Sequence, residues 1–226
     1  MQELETPMEI KEYILNNIVA ARLDSTINEV KKNTRIQDFS HLPIIENKKL
    51  VGSIAERDLS TIEDGSKTLN DFRYVYSYFF ATEDDNLVDL VTLFALHETT
   101  LLPVLNKHKE YIGYYDLNDV LNVYAETPFL KEEGVVLVIE KELISYSMSE
   151  IAQITEASNA KLLGLFLSNE TDNTAQIMLK INSENINEAI QSYRRYGYSV
   201  LSNHKDDSYI EELKNRSDYL QKYLSI

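Results

Sequence analysis

Two aspartates stand six residues after a glycine: Gly52 and Asp58 in VGSIAERDLS, and Gly113 and Asp119 in YIGYYDLNDV. A carboxylate just past a short apolar stretch can favour the start of a helix, or it can hold a ligand. Arg57, beside Asp58, presents a planar fork of donors that suits an anionic ligand, although a single arginine equally suits a solvated surface. The other chemistry-bearing residues form no constellation. His41, His97, His108 and His204 lie far apart without the paired spacing of a metal site, so they read as structural or solvent-facing. There is no G-x-S-x-G, P-loop or G-x-G-x-x-G, and 6 glycines leave little material for a phosphate-cradling loop. No catalytic residue and no bound cofactor is expected.

The elements that position these aspartates occur twice. Sliding the chain by 60 residues lays Ala21 on Ala81, Asp24 on Asp84, Leu42 on Leu102 and Pro43 on Pro103. One extra residue near 106–110 moves the offset to 61, which lays Gly52 on Gly113 and Asp58 on Asp119. In the second copy Leu87, Leu90, Val91 and Phe94 have amphipathic-helix spacing, with Asp84 and Asp85 as capping candidates. LLPVL and YIGYY read as strands joined by a polar turn, and Asp119 opens a helix that stops at Pro128. Each unit is thus helix, strand, strand, helix, too small to cover its own sheet, so two copies should pack as one domain. Between them, FRYVYSYFF (72–80) reads as strand-favouring packing at a seam; stacking on an aromatic ligand is the alternative.

Composition excludes other classes. With 37 acidic and 22 basic residues among 226, the formal charge of -15 repels nucleic acid and anionic lipid. An apolar fraction of 43% is that of a folded globular chain. No cysteine offers a disulfide or thiolate site, and no apolar run or leader pattern predicts a membrane span or export; a cytoplasmic chain is the expectation.

The repeat, the apolar-Pro-apolar strand and the Gly-to-Asp spacing resemble a tandem pair of CBS domains, the Bateman module, over residues 8–127. The resemblance implies that Asp58 and Asp119 hold the ribose hydroxyls of an adenosine ligand. That ligand would be an adenine nucleotide such as AMP or ATP, or S-adenosylmethionine. A Ser or Thr that helps hold phosphate in the family is here Ala55 in GSIAERD and Asp116 in GYYDLND. Ala55 forfeits a hydrogen bond worth about 0.5–1.5 kcal/mol, and Asp116 opposes phosphate by like charge. The first copy is therefore the better site, with Arg57 supplying the cation.

After Pro128 the pattern changes. GVVLVIE (134–140) is a continuous apolar run that suggests burial on both faces. Met148, Ile151, Ala152 and Thr155 fit a helix; LLGLFL and AQIMLKI read as strands, the second alternating at Ile177, Leu179 and Ile181. Ile186, Ala189, Ile190 and Tyr193 mark another helix ending near Gly197, and YSVL a last strand. The order βαββαβ predicts a ferredoxin-like domain, so the fold class is α/β (α+β). It resembles an ACT domain, and the chain as a whole resembles CBS plus ACT proteins of the acetoin-utilisation type. The family's glycine after the first strand is replaced here by EKELISYSMSE, so packing between subunits is its plainer role than amino-acid binding.

The expected divisions are 1–64 and 65–127 for the two repeats, 128–204 for the ferredoxin-like domain and 205–226 for a tail. In the tail Ile210, Leu213, Leu220 and Leu224 fall near one helical face. Together these readings predict a non-catalytic regulatory chain, a homodimer by resemblance, sensing an adenosyl ligand between the repeats. A scaffold that has lost its ligand is the alternative.

Overall fold

The computed structural model describes residues 10–17, 20–37 and 39–202. It divides into two compact units, Met1–Glu126 and Thr127–Ile226. In the first, α1 (Ile27–Gln37), β1 (His41–Glu46), β2 (Lys49–Ala55) and α2 (Glu56–Thr61) form one copy. A 3-10 segment, Leu69–Val75, leads to β3 (Ala81–Thr82), α3 (Leu87–His97), β4 (Leu101–Leu105), β5 (Tyr111–Asp116) and α4 (Leu117–Ala125). The two copies match in register as well as in order. β1 pairs antiparallel with β2, placing Gly52 opposite Ile44; β4 pairs likewise with β5, placing Gly113 opposite Val104. Both ladders slip one residue later, between Ile44 and Ile45 and between Val104 and Leu105. Ala21 bridges Ile44 in parallel, as β3 does β4 through Ala81 and Val104.

Each sheet is completed by chain that precedes the other copy. Leu15, ahead of the first copy, exchanges backbone hydrogen bonds of 2.9 and 2.8 Å with Tyr114 of β5. Ser77, ahead of the second, exchanges bonds of 2.8 and 2.9 Å with Ser53 of β2. The two glycines permit this approach: a Cβ on Gly52 would lie 3.1 Å from the Tyr76 Cβ, and one on Gly113 only 2.2 Å from the Leu15 carbonyl oxygen. The pair is therefore tied into one domain by reciprocal strand addition, with apolar cores around Ile27, Ile44 and Ile54 and around Leu90, Leu102 and Tyr115.

The helix starts differ from the sequence expectation in a consistent way. Asn86, rather than Asp84 or Asp85, caps α3, accepting from Val88 N at 2.9 Å and Asp89 N at 3.1 Å. Asp85 instead closes the preceding turn by accepting from Thr82 N and its hydroxyl, and Asp84 pairs with Lys107 at 3.3 Å. Asp116, not Asp119, caps α4, and that helix ends at Ala125; Pro128 begins a separate turn, α5 (Pro128–Lys131). In each case the capping residue sits one to three positions from the acid singled out by periodicity, because a cap needs extended backbone, which spacing does not reveal. The aromatic run is not a strand: it supplies the 3-10 segment and a single bridge, with Phe79 buried but Tyr74 and Tyr78 exposed.

The second unit runs β6 (Val135–Glu142), α6 (Met148–Ala157), β7 (Lys161–Glu170), β8 (Thr174–Asn182), α7 (Ile186–Arg195) and β9 (Ser199–Val200). The strand order β7-β8-β6-β9, antiparallel throughout, is the ferredoxin-like arrangement expected from the element order. Its core lies on one face only: Leu137, Ile139, Ile177, Leu179 and Ile181 are fully buried against Ile151, Ile190 and Tyr193. Where the apolar run suggests burial of β6 on both faces, the described residues cover only one, leaving Val136 47% exposed. An apolar run reads alike whether one or both faces are covered.

The cores yield a paired test. Inside this unit the Tyr193 hydroxyl meets Thr155 Oγ1 at 2.5 Å. Tyr193→Phe should cost about 1 kcal/mol of stability by denaturant unfolding. Tyr115 in the first unit is fully buried, and its hydroxyl has no partner among the described residues. Tyr115→Phe should leave the unfolding midpoint unchanged or raise it, because it removes an unsatisfied buried group. The tail expected over 205–226 lies outside the described residues.

Candidate functional site

The two copies meet at equivalent residues. Ser40 N donates to Thr100 Oγ1 at 3.1 Å, and Thr100 N donates to Ser40 Oγ at 2.7 Å. Since these residues are 60 apart, the contact marks a pseudo-two-fold axis between the repeats. The helix starts obey it too, with Glu56 N bonded to Ser40 O at 2.8 Å and Leu117 N to Thr100 O at 3.0 Å. Beside this axis opens a cleft of about 900 Å³, lined among others by Ser40, His41, Ala55, Arg57, His97 and Thr100.

Two imidazoles of the lining rest on buried Phe79, and charged side chains stand beside them. His41 is 8% exposed, with Nδ1 3.1 Å from Ser40 Oγ. Its ring stands edge-on to Phe79 at 5.3 Å, and His97 stacks on Phe79 at 4.6 Å and 14°. Burial lowers the His41 pKa, the Arg57 guanidinium lowers it further, and Asp58 opposes them. The imidazole is thus held neutral near pH 7, yet close to the charges on the first turn of α2. Among the described residues the Arg57 guanidinium makes no hydrogen bond or ion pair. Glu56 and Glu98 stand on the same rim, both exposed.

The site residues anticipated from sequence fall into two groups. Ala55 and Arg57 line the cleft; half-buried Asp58 stands just behind that lining as the third residue of α2, near enough to act on His41. Asp58 is not the cap: the N-cap is Ala55, with no side-chain bond to the helix start. In the second copy Asp116 accepts from Asn118 N at 2.8 Å and Asp119 N at 3.4 Å. Asp116 and Asp119 are not among the residues lining this cleft, and both push the Tyr114 pKa up after burial has done so. Sequence reasoning missed His41, His97 and the Ser40–Thr100 contact. The signal was present for the last, because both hydroxyl residues precede the apolar-Pro-apolar strand at equivalent positions.

In the second unit, polar groups satisfy one another. Lys141 Nζ lies 2.9 Å from Glu150 and 4.3 Å from the Tyr198 ring centroid, while the Tyr198 hydroxyl donates to Glu150 at 2.7 Å. The ammonium and the phenol hold the Glu150 carboxyl below its usual range, and burial with this carboxylate pushes Tyr198 up to about 12.

A two-repeat α/β unit with a cleft on its internal pseudo-dyad is the class of protein that the first unit defines. Residues 10–64 match the family model of the CBS domain. The chain is 24% identical over 136 residues to an uncharacterised protein of Methanocaldococcus jannaschii, covering 60% of this chain and 51% of that one. It is 25% identical over 122 residues to the inosine-5'-monophosphate dehydrogenase of the same organism, covering 54% of this chain but 24% of the enzyme. Among solved structures it is similar to a CBS domain pair/ACT domain protein from Thermotoga maritima, with 21% identity and a TM-score of 0.48 over 53% of this chain and 98% of the other. The chain spans about half or less of the length of these curated relatives. No helix among the described residues is long and apolar enough to cross a membrane.

Proposed function

We propose that the first unit is a regulatory CBS pair, residues 1–64 and 65–127, that binds an adenine nucleotide or related adenosyl compound in the cleft beside Ser40 and Thr100. The observation that carries this reading is the cleft itself, where Arg57, unpaired among the described residues, a buried His41 and the His97 ring, backed by Phe79, converge. Asp58 would meet the ribose hydroxyls, Arg57 the phosphates, and the His97 ring the base. The chemistry is binding rather than turnover, and the ligand acts by its different affinity for two arrangements of the chain. The second unit, residues 128–204, is read as ACT-like in a chain of the acetoin-utilisation type, serving association between copies in a cytoplasmic homodimer.

A ligand-free role is favoured for the second copy's equivalent position. Asp116 is already committed to its helix start, so a phosphate there would meet a carboxylate that cannot leave without uncapping α4. Asp119 then serves the fold.

The test is a thermal-shift panel with AMP, ADP, ATP, S-adenosylmethionine, NAD and adenosine, with and without magnesium because Glu56 and Glu98 share the rim. A ligand at a hundred times its Kd should add about 2.7 kcal/mol of apparent stability. Arg57→Ala should weaken a phosphate-bearing ligand about 10- to 100-fold while sparing adenosine, the loss of one charged hydrogen-bonding group. Asp58→Ala should weaken both. No shift with any compound at millimolar concentration would leave the scaffold reading in its place.

A further inference from the structure

The ferredoxin-like sheet buries one face and leaves an apolar row on the other. Register places Phe166 opposite Met178, Met178 opposite Val138, and Leu201, just past β9, bonded to Val138. Four apolar side chains therefore cross all four strands on the side away from α6 and α7, with Val136 next in line. Phe166 is 45% exposed, Leu201 46% and Val136 47%. Polar neighbours on this face are already satisfied: Gln176 donates to Glu140 at 2.9 Å, and Lys180 donates to the Leu130 carbonyl at 3.2 Å. Phe129 of α5 covers one corner, over Gly164 and edge-on to Phe166 at 6.3 Å. The row beyond it lacks a cover among the described residues.

We propose that the row is covered by the chain's own C-terminal segment, residues 205–226. The chain leaves the sheet at the row itself: Leu201 belongs to it, and Ser202 Oγ accepts from Val138 N at 3.2 Å. The C-terminal segment has the composition to lie there, since Ile210, Leu213, Leu220 and Leu224 recur at helical spacing between charged residues. Dimensions agree. Four strands span about 14 Å, and at helical rise Ile210 to Leu224 spans about 21 Å. The residues from Asn203 to Ile210 can reach back across the sheet from its edge. A tethered segment also acts at an effective concentration near millimolar, well above that of a second copy at ordinary protein concentrations. The strand β6 thus carries two apolar faces for two purposes, one for the helices and one for the tail. The row lies in a different unit from the nucleotide cleft, so tail docking survives or fails separately from nucleotide binding.

The chain has no cysteine, so engineered pairs report without background. Leu220→Cys is combined in turn with Val136→Cys, Met178→Cys or Phe166→Cys in the full chain and oxidised. As a control it is combined with Ile144→Cys, on the loop after β6 and 94% exposed. At least one sheet pair should close an intramolecular disulfide about ten times faster than the control, as expected for a docked rather than freely tethered thiol. Equal rates overturn the proposal, and covalent dimers through the sheet cysteines would assign the face to a second copy instead. Ending the chain after Ser202 should raise the fluorescence of an apolar dye several-fold; an unchanged signal counts against the proposal in the same way.

Discussion

Gly113→Ala is expected to destabilise the first unit by about 3 kcal/mol, lowering its melting temperature by on the order of 10 °C. Two costs coincide at this residue. Its φ of 152° is one that side-chain-bearing residues rarely adopt, and an added Cβ would stand 2.2 Å from the Leu15 carbonyl oxygen and 2.7 Å from the Ile14 side chain. The Leu15 carbonyl cannot yield without breaking the Leu15–Tyr114 pair that docks the N-terminal segment on β5. The equivalent Gly52→Ala should cost no more than about 1 kcal/mol, because its added Cβ would need the Tyr76 side chain and Ser77 carbonyl to move by only tenths of an ångström. Chemical unfolding of the two variants, followed on the first unit, checks both values. Equal losses would mean that the two strand additions are energetically alike and that the close approach at Gly113 carries no special weight.

That asymmetry bears on what the sequence could and could not reveal. The repeat was legible because Leu42 and Leu102, Pro43 and Pro103, and the two glycines stand at fixed offsets, and identical local grammar demands identical local structure. The ferredoxin-like order was legible for the same reason, through alternation at Ile177, Leu179 and Ile181. The exchange of Leu15 and Ser77 between sheets was not, since a one-residue bridge leaves no periodic trace. Caps were misplaced where several polar residues adjoin, as at Asp84, Asp85 and Asn86, because only the backbone decides which oxygen faces the free N–H groups. The cleft was half legible. Asp58, Arg57 and Ala55 belong to a local motif, whereas His41, Phe79 and His97 come from three segments that only the pseudo-dyad brings together.

The buried His41 ring makes the cleft sensitive to protons. Burial and Arg57 depress the His41 pKa below its ordinary value of 6.5, so in the free protein the imidazole loses its proton more readily than in the unfolded chain. The stability this group contributes is present above pH 6.5 and is lost as pH falls through its folded pKa. A phosphate in the cleft reverses the balance, because an anion near Arg57 offsets the guanidinium charge and favours imidazolium. Binding an anionic nucleotide should then take up a proton, and affinity should rise as pH falls toward the lowered His41 pKa of the free protein, by at most about tenfold per pH unit for one linked proton. Asp58 and His97, which also act on His41, bias the midpoint without changing that sign. The check is calorimetry of one nucleotide at several pH values in wild type, His41→Gln and His97→Gln, so that titration of the ligand's own phosphate cancels in the comparison. The additional slope should vanish in His41→Gln, persist in His97→Gln and be absent for adenosine in all three. A slope that tracks His97, or that adenosine shares, would mean that the buried imidazole beside Ser40 packs the pseudo-dyad and does not sense the ligand's charge.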